Sequence, residues 1–289
     1  MDMLAALENV DDLPTIPTTL TKVLQVTNRD DTTVADLGKV VIADPPLAAK
    51  LLRLANSAYF GLMRQVSDIN RAIAMLGFEE VRSLAISVST FDSVCVSASS
   101  DGLFDRTVFW EHSFVVAYVA RKLGKTIGLD VEHAFAAGLL HDIGKTLLDR
   151  YFPEAFVKVI TEMKQSGATF YEVERRLGQT SHDVLGGFLL EKWGLPPELV
   201  AGASGHHAPE KGHSKTVSLI FWANALAHVA GFAPGAEERK LTLEQVFATP
   251  AARVLSETGQ LPEVEALQEV LRQLDDDAES ISGQAAMLF

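Results

Sequence analysis

What the sequence lacks narrows it first. One cysteine, Cys95, stands among 289 residues, so an intramolecular disulfide framework is excluded and a reducing, cytoplasmic setting is expected. No apolar run approaches the ~20 residues that a membrane helix needs. The opening MDMLAALENVDDLPTIP carries early acids and no basic segment, so a secretory signal is not expected. Positive charge is also scarce: 25 Lys and Arg against 38 Asp and Glu give a formal charge of −13. Tracking a phosphate backbone needs clustered basic residues. None stands out, so neither nucleic acid nor membrane is an expected partner. Finally, no stretch offers several alternating strands joined by hairpin turns, which argues against a sheet protein.

What is present is helical periodicity, repeated along the chain. The apolar share of 47% with 22% charged residues suits one large core or two modest ones. In TIPTTLTKVLQVTN, Ile16, Leu20, Val23 and Leu24 recur at spacings of three and four behind a proline, the mark of an amphipathic helix. TTVADLGKVVIAD, PLAAKLLRLANSAYFG and INRAIAMLGFEEVRSLAIS continue the pattern, the last as two helices joined at Gly77-Phe78. Five helices therefore form a bundle over residues 1–93. SVCVSASSDGLFD, rich in Ser with Gly and Asp, reads as a connector over 94–105. Periodicity resumes at Val108–Gly124, Val131–Leu148, Glu154–Ser166, Thr169–Leu177, Ser181–Trp193, Pro197–His206 and Lys215–Ala230, giving a helical subdomain over 106–235. Beyond GFAPGAEERK, residues 236–289 read as C-terminal helices and a frayed acidic tail. The 94–105 and 231–240 stretches are the candidate mobile connectors.

Five of the eight histidines fall into a pattern. His112 sits within a helix, one turn before Val116. His141 and Asp142 adjoin in GLLHDIGK, His182 opens a helix, and His206-His207 end one. Imidazole nitrogens suit Zn, Fe, Mn and Ni, and a carboxylate supplies a charged oxygen. Neighbouring helical side chains diverge by ~100°, so His141 and Asp142 could share an ion only where ligands arrive from other helices of a bundle. Lys145 would then lie beside the ion and could hold a phosphate. An ion there would acidify water for ester hydrolysis. The plainer alternative is also open at this point. A His-His pair arises by chance about one time in five at this composition, and a single histidine on a packed face is ordinarily a hydrogen-bonded core residue. His133, His213 and His228 show no partner pattern.

His112, His141-Asp142-Ile143-Gly144-Lys145 and His206-His207 together resemble the HD superfamily of metal-dependent phosphohydrolases. LPTIPTTLTKVLQV, VIADPPLAAKLLRLANSAYFG and INRAIAMLGFEEVRSLAIS resemble the N-terminal bundle of the HDOD family, the HD-related output domains of bacterial signalling proteins. FWEHS, AAGLLHDIGK, SHDVLGGFLLEKWGLP, GHHAP and WANALA add to the likeness, which spans about residues 10–235. It implies an all-α fold in which an N-terminal helical bundle packs with an HD-type bundle. It also implies a cytoplasmic bacterial regulator with a protein partner in a signalling pathway.

The resemblance assigns ligand roles to His112, His141 and Asp142, with His182, His206 and His207 as ligands of a second metal. One or two divalent transition metals (Fe, Mn, Ni or Zn) are the implied cofactors. Asn224 stands where the last aspartate of an HD enzyme is expected, and no Asp occurs between His207 and Asp275. A neutral amide oxygen is a poorer partner for a dication than a carboxylate. The GYP motif of cyclic-dinucleotide phosphodiesterases is absent after Gly144. Two functions follow: a signalling module with a retained metal or ligand pocket, or a phosphohydrolase acting on a nucleotide or other phosphate ester. In the enzyme, Asp142 and Lys145 would be catalytic.

Overall fold

The computed structural model describes residues 3–10, 12–29, 31–56, 65–94, 104–126, 133–209, 214–233, 241–260 and 262–288. Cys95, His213 and most of both candidate connectors (95–103 and 234–240) lie outside them. Among the described residues every regular element is a helix, and no helix is long and apolar enough to cross a membrane. The order begins α1 (Met3–Glu8), α2 (Thr18–Thr27), α3 (Val34–Ile42), α4 (Pro45–Ala55), α5 (Ile69–Leu76) and α6 (Phe78–Val94). It continues with α7 (Arg106–Thr126), α8 (Ala134–Leu140), α9 (Gly144–Tyr151), α10 (Pro153–Ser166), α11 (Phe170–Leu177) and α12 (His182–Lys192). The last are α13 (Pro197–Gly205), α14 (Lys215–Ala230), α15 (Leu243–Phe247), α16 (Pro250–Glu257) and α17 (Val264–Leu288). The chain divides into two compact units. One comprises residues 14–96 with 279–289, the other 1–13 with 97–278.

The 14–96 unit is built from the five helices that the periodicity predicts. Each start has a local cause. Thr33 and Asp36 form a reciprocal capping box at α3, and Asp44 caps α4 ahead of two prolines, a position where a missing N–H costs nothing. Asp68 caps α5. Gly77 turns the chain from α5 into α6 with φ +90°, a conformation that side chains with a Cβ rarely adopt. Thr19 donates to Asp44 (2.7 Å) and ties α2 to the start of α4. Leu20, Val23, Leu37, Val41, Leu84 and Ala85 are buried inside.

In the second unit α7 packs on α8 and α14, while α12 packs on α9 and α13. The sequence pattern differs from the structure at two places. The expected continuous helix 131–148 is broken at His141–Ile143. The expected frayed end is helical to Leu288. Its acids are engaged, Asp276 by Arg272 (2.7 Å) and Asp277 by the Tyr118 hydroxyl. Ile281 and Ala285, one turn apart, are buried.

Candidate metal centre

The break at His141–Ile143 is what aims the HD pair. Across it the backbone bonds tighten to the i→i−3 pattern: Ile143 N–H to Leu140 O, Lys145 to Asp142 and Thr146 to Ile143, at 2.9–3.1 Å. Tighter winding changes the angle between successive side chains, so the pair need not diverge as in a regular helix. His141 Nε2 and Asp142 Oδ2 lie 3.4 Å apart. Gly144 makes the close approach possible, because a Cβ there would fall 1.9 Å from the His182 carbonyl oxygen. The "IG" of this motif is therefore a packing requirement that brings α9 against α12.

Around Asp142 the helices deliver five imidazoles. His112 comes from α7 and lies 3.7 Å from Oδ2. His182, the first residue of α12, lies 3.0 Å from Oδ1, and His206, at the end of α13, 3.5 Å from Oδ1. His207 Nε2 is 3.0 Å from His182 Nε2. Two groups of candidate ligands result, each with its ligand atoms within 4.8 Å of one another: His112, His141 and Asp142, and Asp142, His182, His206 and His207. All but the half-buried His207 are buried. Lys145 Nζ donates to Asp142 Oδ2 at 2.7 Å.

Each inner histidine is held from behind. The Nδ1–H of His112 donates to Phe232 O (2.6 Å), that of His141 to Gly138 O (2.7 Å) and that of His206 to Ala203 O (2.8 Å). A carbonyl can only accept, so the proton sits on Nδ1 and Nε2 faces inward, an arrangement common to metal-ligating histidines. His182 instead donates to Glu174 (2.6 Å). Burial holds His112 and His207 well below the usual imidazole range and brings His141 to about 3. Burial pushes the Asp142 carboxyl up, yet Lys145, His141, His182 and His206 together keep it well below its ordinary value. His182 goes the other way. Glu174 and Asp142 outweigh its burial and raise it to about 10. Without a cation the cluster thus holds a proton on His182.

The donor set fits a divalent transition ion. His112 Nε2 and His141 Nε2 stand 3.3 Å apart with both protons committed elsewhere, so two lone pairs face each other. His206 Nε2 and Asn224 Oδ1 are buried without a hydrogen-bond partner, whereas buried polar atoms ordinarily have one. Imidazole nitrogens with one carboxylate match Fe, Mn, Ni or Zn.

Beside the cluster lies a cavity of about 460 Å³, whose polar lining includes Lys145, His206, His207 and Asn224. Its apolar lining includes Phe170, Tyr171 and Phe221, with Val246, Pro250 and Val254 of the α15–α16 region. Tyr171 stacks on His207 at 4.3 Å between ring centroids. Sequence reasoning missed two neighbours. His228 lines this cavity, its ring 5.3 Å from that of His112. It follows Asn224 by four residues, so the shared helix face was a usable signal. Glu174 had none, since no spacing rule links it to His182 across a helix boundary.

Comparison with known proteins agrees with this architecture. A solved HDOD domain protein of unknown function from Geobacter sulfurreducens has a TM-score of 0.80 at 24% identity, over 99% of this chain and 97% of that one. A Shewanella amazonensis SB2B protein provisionally named a phosphohydrolase has a TM-score of 0.75 at 27% identity, over 97% and 98% of the two chains. Ribonuclease Y of Desulfotalea psychrophila is 34% identical over 131 residues, 45% of this chain and 19% of that protein. The chain spans less than half the length of the curated relatives it matches. The family model of the HDOD domain matches residues 13–209, about two thirds of the sequence, and the chain belongs to the HDOD family.

Proposed function

We propose that this chain is a signal-transduction protein of the HDOD type whose second unit binds divalent metal and, beside it, a small phosphate-bearing ligand. One observation carries the reading: five imidazoles converge on one buried aspartate beside a cavity. Six ionisable groups with Asp142 at their centre, counting Lys145, are costly to bury unless something uses them. A divalent ion bound there would polarise a phosphoryl oxygen and acidify coordinated water.

The chain's own residues have separable roles. His112, His141, Asp142, His182, His206 and His207 hold metal, with Asn224 as a weak neutral contributor. Lys145, in the cavity lining, supplies an ammonium for a phosphate oxygen. Phe170, Tyr171, Val246 and Val254 exclude water from the rest of the ligand. A cavity of this size suits a small molecule. Together with the net charge of −13, this favours a small ligand over a nucleic acid, and a protein partner carries the signal onward.

The test is metal content per chain after purification without chelator or histidine tag, followed by inorganic phosphate titrated into the loaded protein. One or two equivalents of transition metal, and phosphate binding that disappears with the metal, are expected. A protein that retains no metal after loading with Mn²⁺, Fe²⁺, Ni²⁺ and Zn²⁺ would sink the reading.

The second reading is hydrolysis of a phosphate ester. It is favoured by the near-complete histidine set, and by likeness to one protein provisionally named a phosphohydrolase and another named a ribonuclease. Asp142 and Lys145 would then touch the reacting phosphate. Release of phosphate or nitrophenol from nitrophenyl phosphate mono- and diesters or nucleotides by the loaded protein, absent in Asp142→Ala, distinguishes it from binding alone.

A further inference from the structure

Resting on the metal reading above, we infer that the two centres fill in order. The first divalent ion goes to Asp142, His182, His206 and His207, with Glu174 as the positioning residue. The His112–His141 centre takes the second ion with lower affinity. The tighter centre is therefore the one away from the HD pair's own histidine.

The two oxygens of Asp142 face different surroundings. Oδ1 lies toward His182 (3.0 Å) and His206 (3.5 Å) and is buried. Oδ2 lies toward His141 (3.4 Å) and His112 (3.7 Å), but already accepts from the Lys145 ammonium at 2.7 Å. A dication on the Oδ2 side must meet a fixed positive charge that shares its only carboxylate oxygen. One on the Oδ1 side meets two imidazoles and no ammonium on its carboxylate oxygen.

Ligand count points the same way. Four candidate ligands surround the Oδ1 side and three the Oδ2 side. The family resemblance would add a carboxylate to the three, but position 224 holds asparagine.

The backing of the histidines differs as well. His112, His141 and His206 donate to main-chain carbonyls. His182 alone donates to a carboxylate, and Glu174 grips it twice: Oε2 accepts from Nδ1 (2.6 Å) and Oε1 from the backbone N–H (2.9 Å). The second contact replaces the missing side-chain cap of Ser181 at the start of α12, so the same carboxylate fixes both the ring and the helix that carries it. A carboxylate behind an imidazole raises its basicity and places a further negative charge near the ion.

The experiment titrates the chelator-stripped full chain with Co²⁺, followed by calorimetry and by the visible absorption of bound cobalt. Two steps are expected. His207→Ala should remove the first and leave the second, and His112→Ala should do the reverse. Glu174→Gln, nearly isosteric, should weaken the first step by about 10–100-fold with the second unchanged. Lys145→Met should tighten the second step alone. Thermal melts confirm that each variant is folded; should Glu174→Gln unfold, the half-buried His207 still decides the order. Loss of the first step in His112→Ala, or simultaneous filling of both centres, overturns the order and leaves the metal reading standing. No cobalt bound by the unaltered chain overturns the metal reading itself.

Discussion

Among the described residues, 14–96 bury apolar side chains with Ser83, Ser87, Ser89 and Thr90, whereas 97–278 bury histidines, carboxylates and a lysine, most of them around Asp142. In the first unit α3, α4 and α5 each begin at a side-chain cap, and Gly77 makes the turn into α6. In the second, His112, His141, Asp142, Lys145, Glu174, His182 and His206 are all enclosed, and helix order alone does not explain them. Burying ionised groups is costly even when they are paired. Their confinement to one unit separates a part built by apolar packing from a part that encloses a polar cluster.

Five measurements would break or sharpen that contrast. Asp142→Ala has the largest expected effect, because it removes the carboxylate shared by both centres and the acceptor of Lys145. Bound metal should fall to background, and stability should drop by about 3–5 kcal/mol as for other broken buried ion pairs. Leu20→Ala, at a fully enclosed position of α2, should cost about 2–5 kcal/mol while metal equivalents stay unchanged in the folded protein. Altered metal stoichiometry in that variant would erase the division of labour.

Acid should act through the second unit. His112, His141 and His207 are held neutral in the folded chain, so below the ordinary imidazole pKa of ~6.5 the unfolded state binds more protons. Their stability contribution is complete above that pH and lost as pH falls toward about 3. His182 has the opposite sign: its contribution is present below ~6.5 and lost as pH rises through about 10. Melting temperatures of the metal-free chain should therefore fall from neutral pH downward, and the Asp142 carboxylate should add to the loss below ~4. A flat profile between pH 6.5 and 4 would contradict the neutral imidazoles.

Asn224→Asp restores a charged oxygen to the cavity lining and should tighten the second metal equivalent by roughly tenfold, read by the same cobalt titration. The smallest effect belongs to the first unit. Thr33→Ala removes the capping box of α3 and should cost about 1 kcal/mol by thermal or urea unfolding, with no change at the metal centre.

The sequence made the helices legible because caps and stripes are local signals. The junction at Gly77 could be placed without knowing what surrounds it. The imidazole set was partly legible: His141-Asp142 and His206-His207 are neighbours in sequence, but their convergence with His112 and His182 depends on packing between α7, α8, α9, α12 and α13. The i→i−3 tightening at His141–Ile143 escaped notice, since an apolar stripe continues through it and nothing local marks the change of winding. Its cause is the contact between Gly144 and the backbone of α12, forty residues away. Glu174 escaped for the same reason, as its partner lies in another helix. The carboxy-terminal acids suggested fraying only because their partners, Arg272 and Tyr118, are not apparent from composition.

Most of the cavity's polar lining and its α15–α16 lining come from different lengths of chain. Lys145, His206 and His207 fall within residues 13–209, while Asn224, Val246, Pro250 and Val254 fall beyond them. Exchanging residues 241–254 alone would therefore reshape one part of the cavity while every imidazole stayed in place. The same division makes α15 and α16 a reporter of occupancy. Whatever fills the cavity rests against them, so by linkage it must slow their amide exchange in proportion to how tightly it is held.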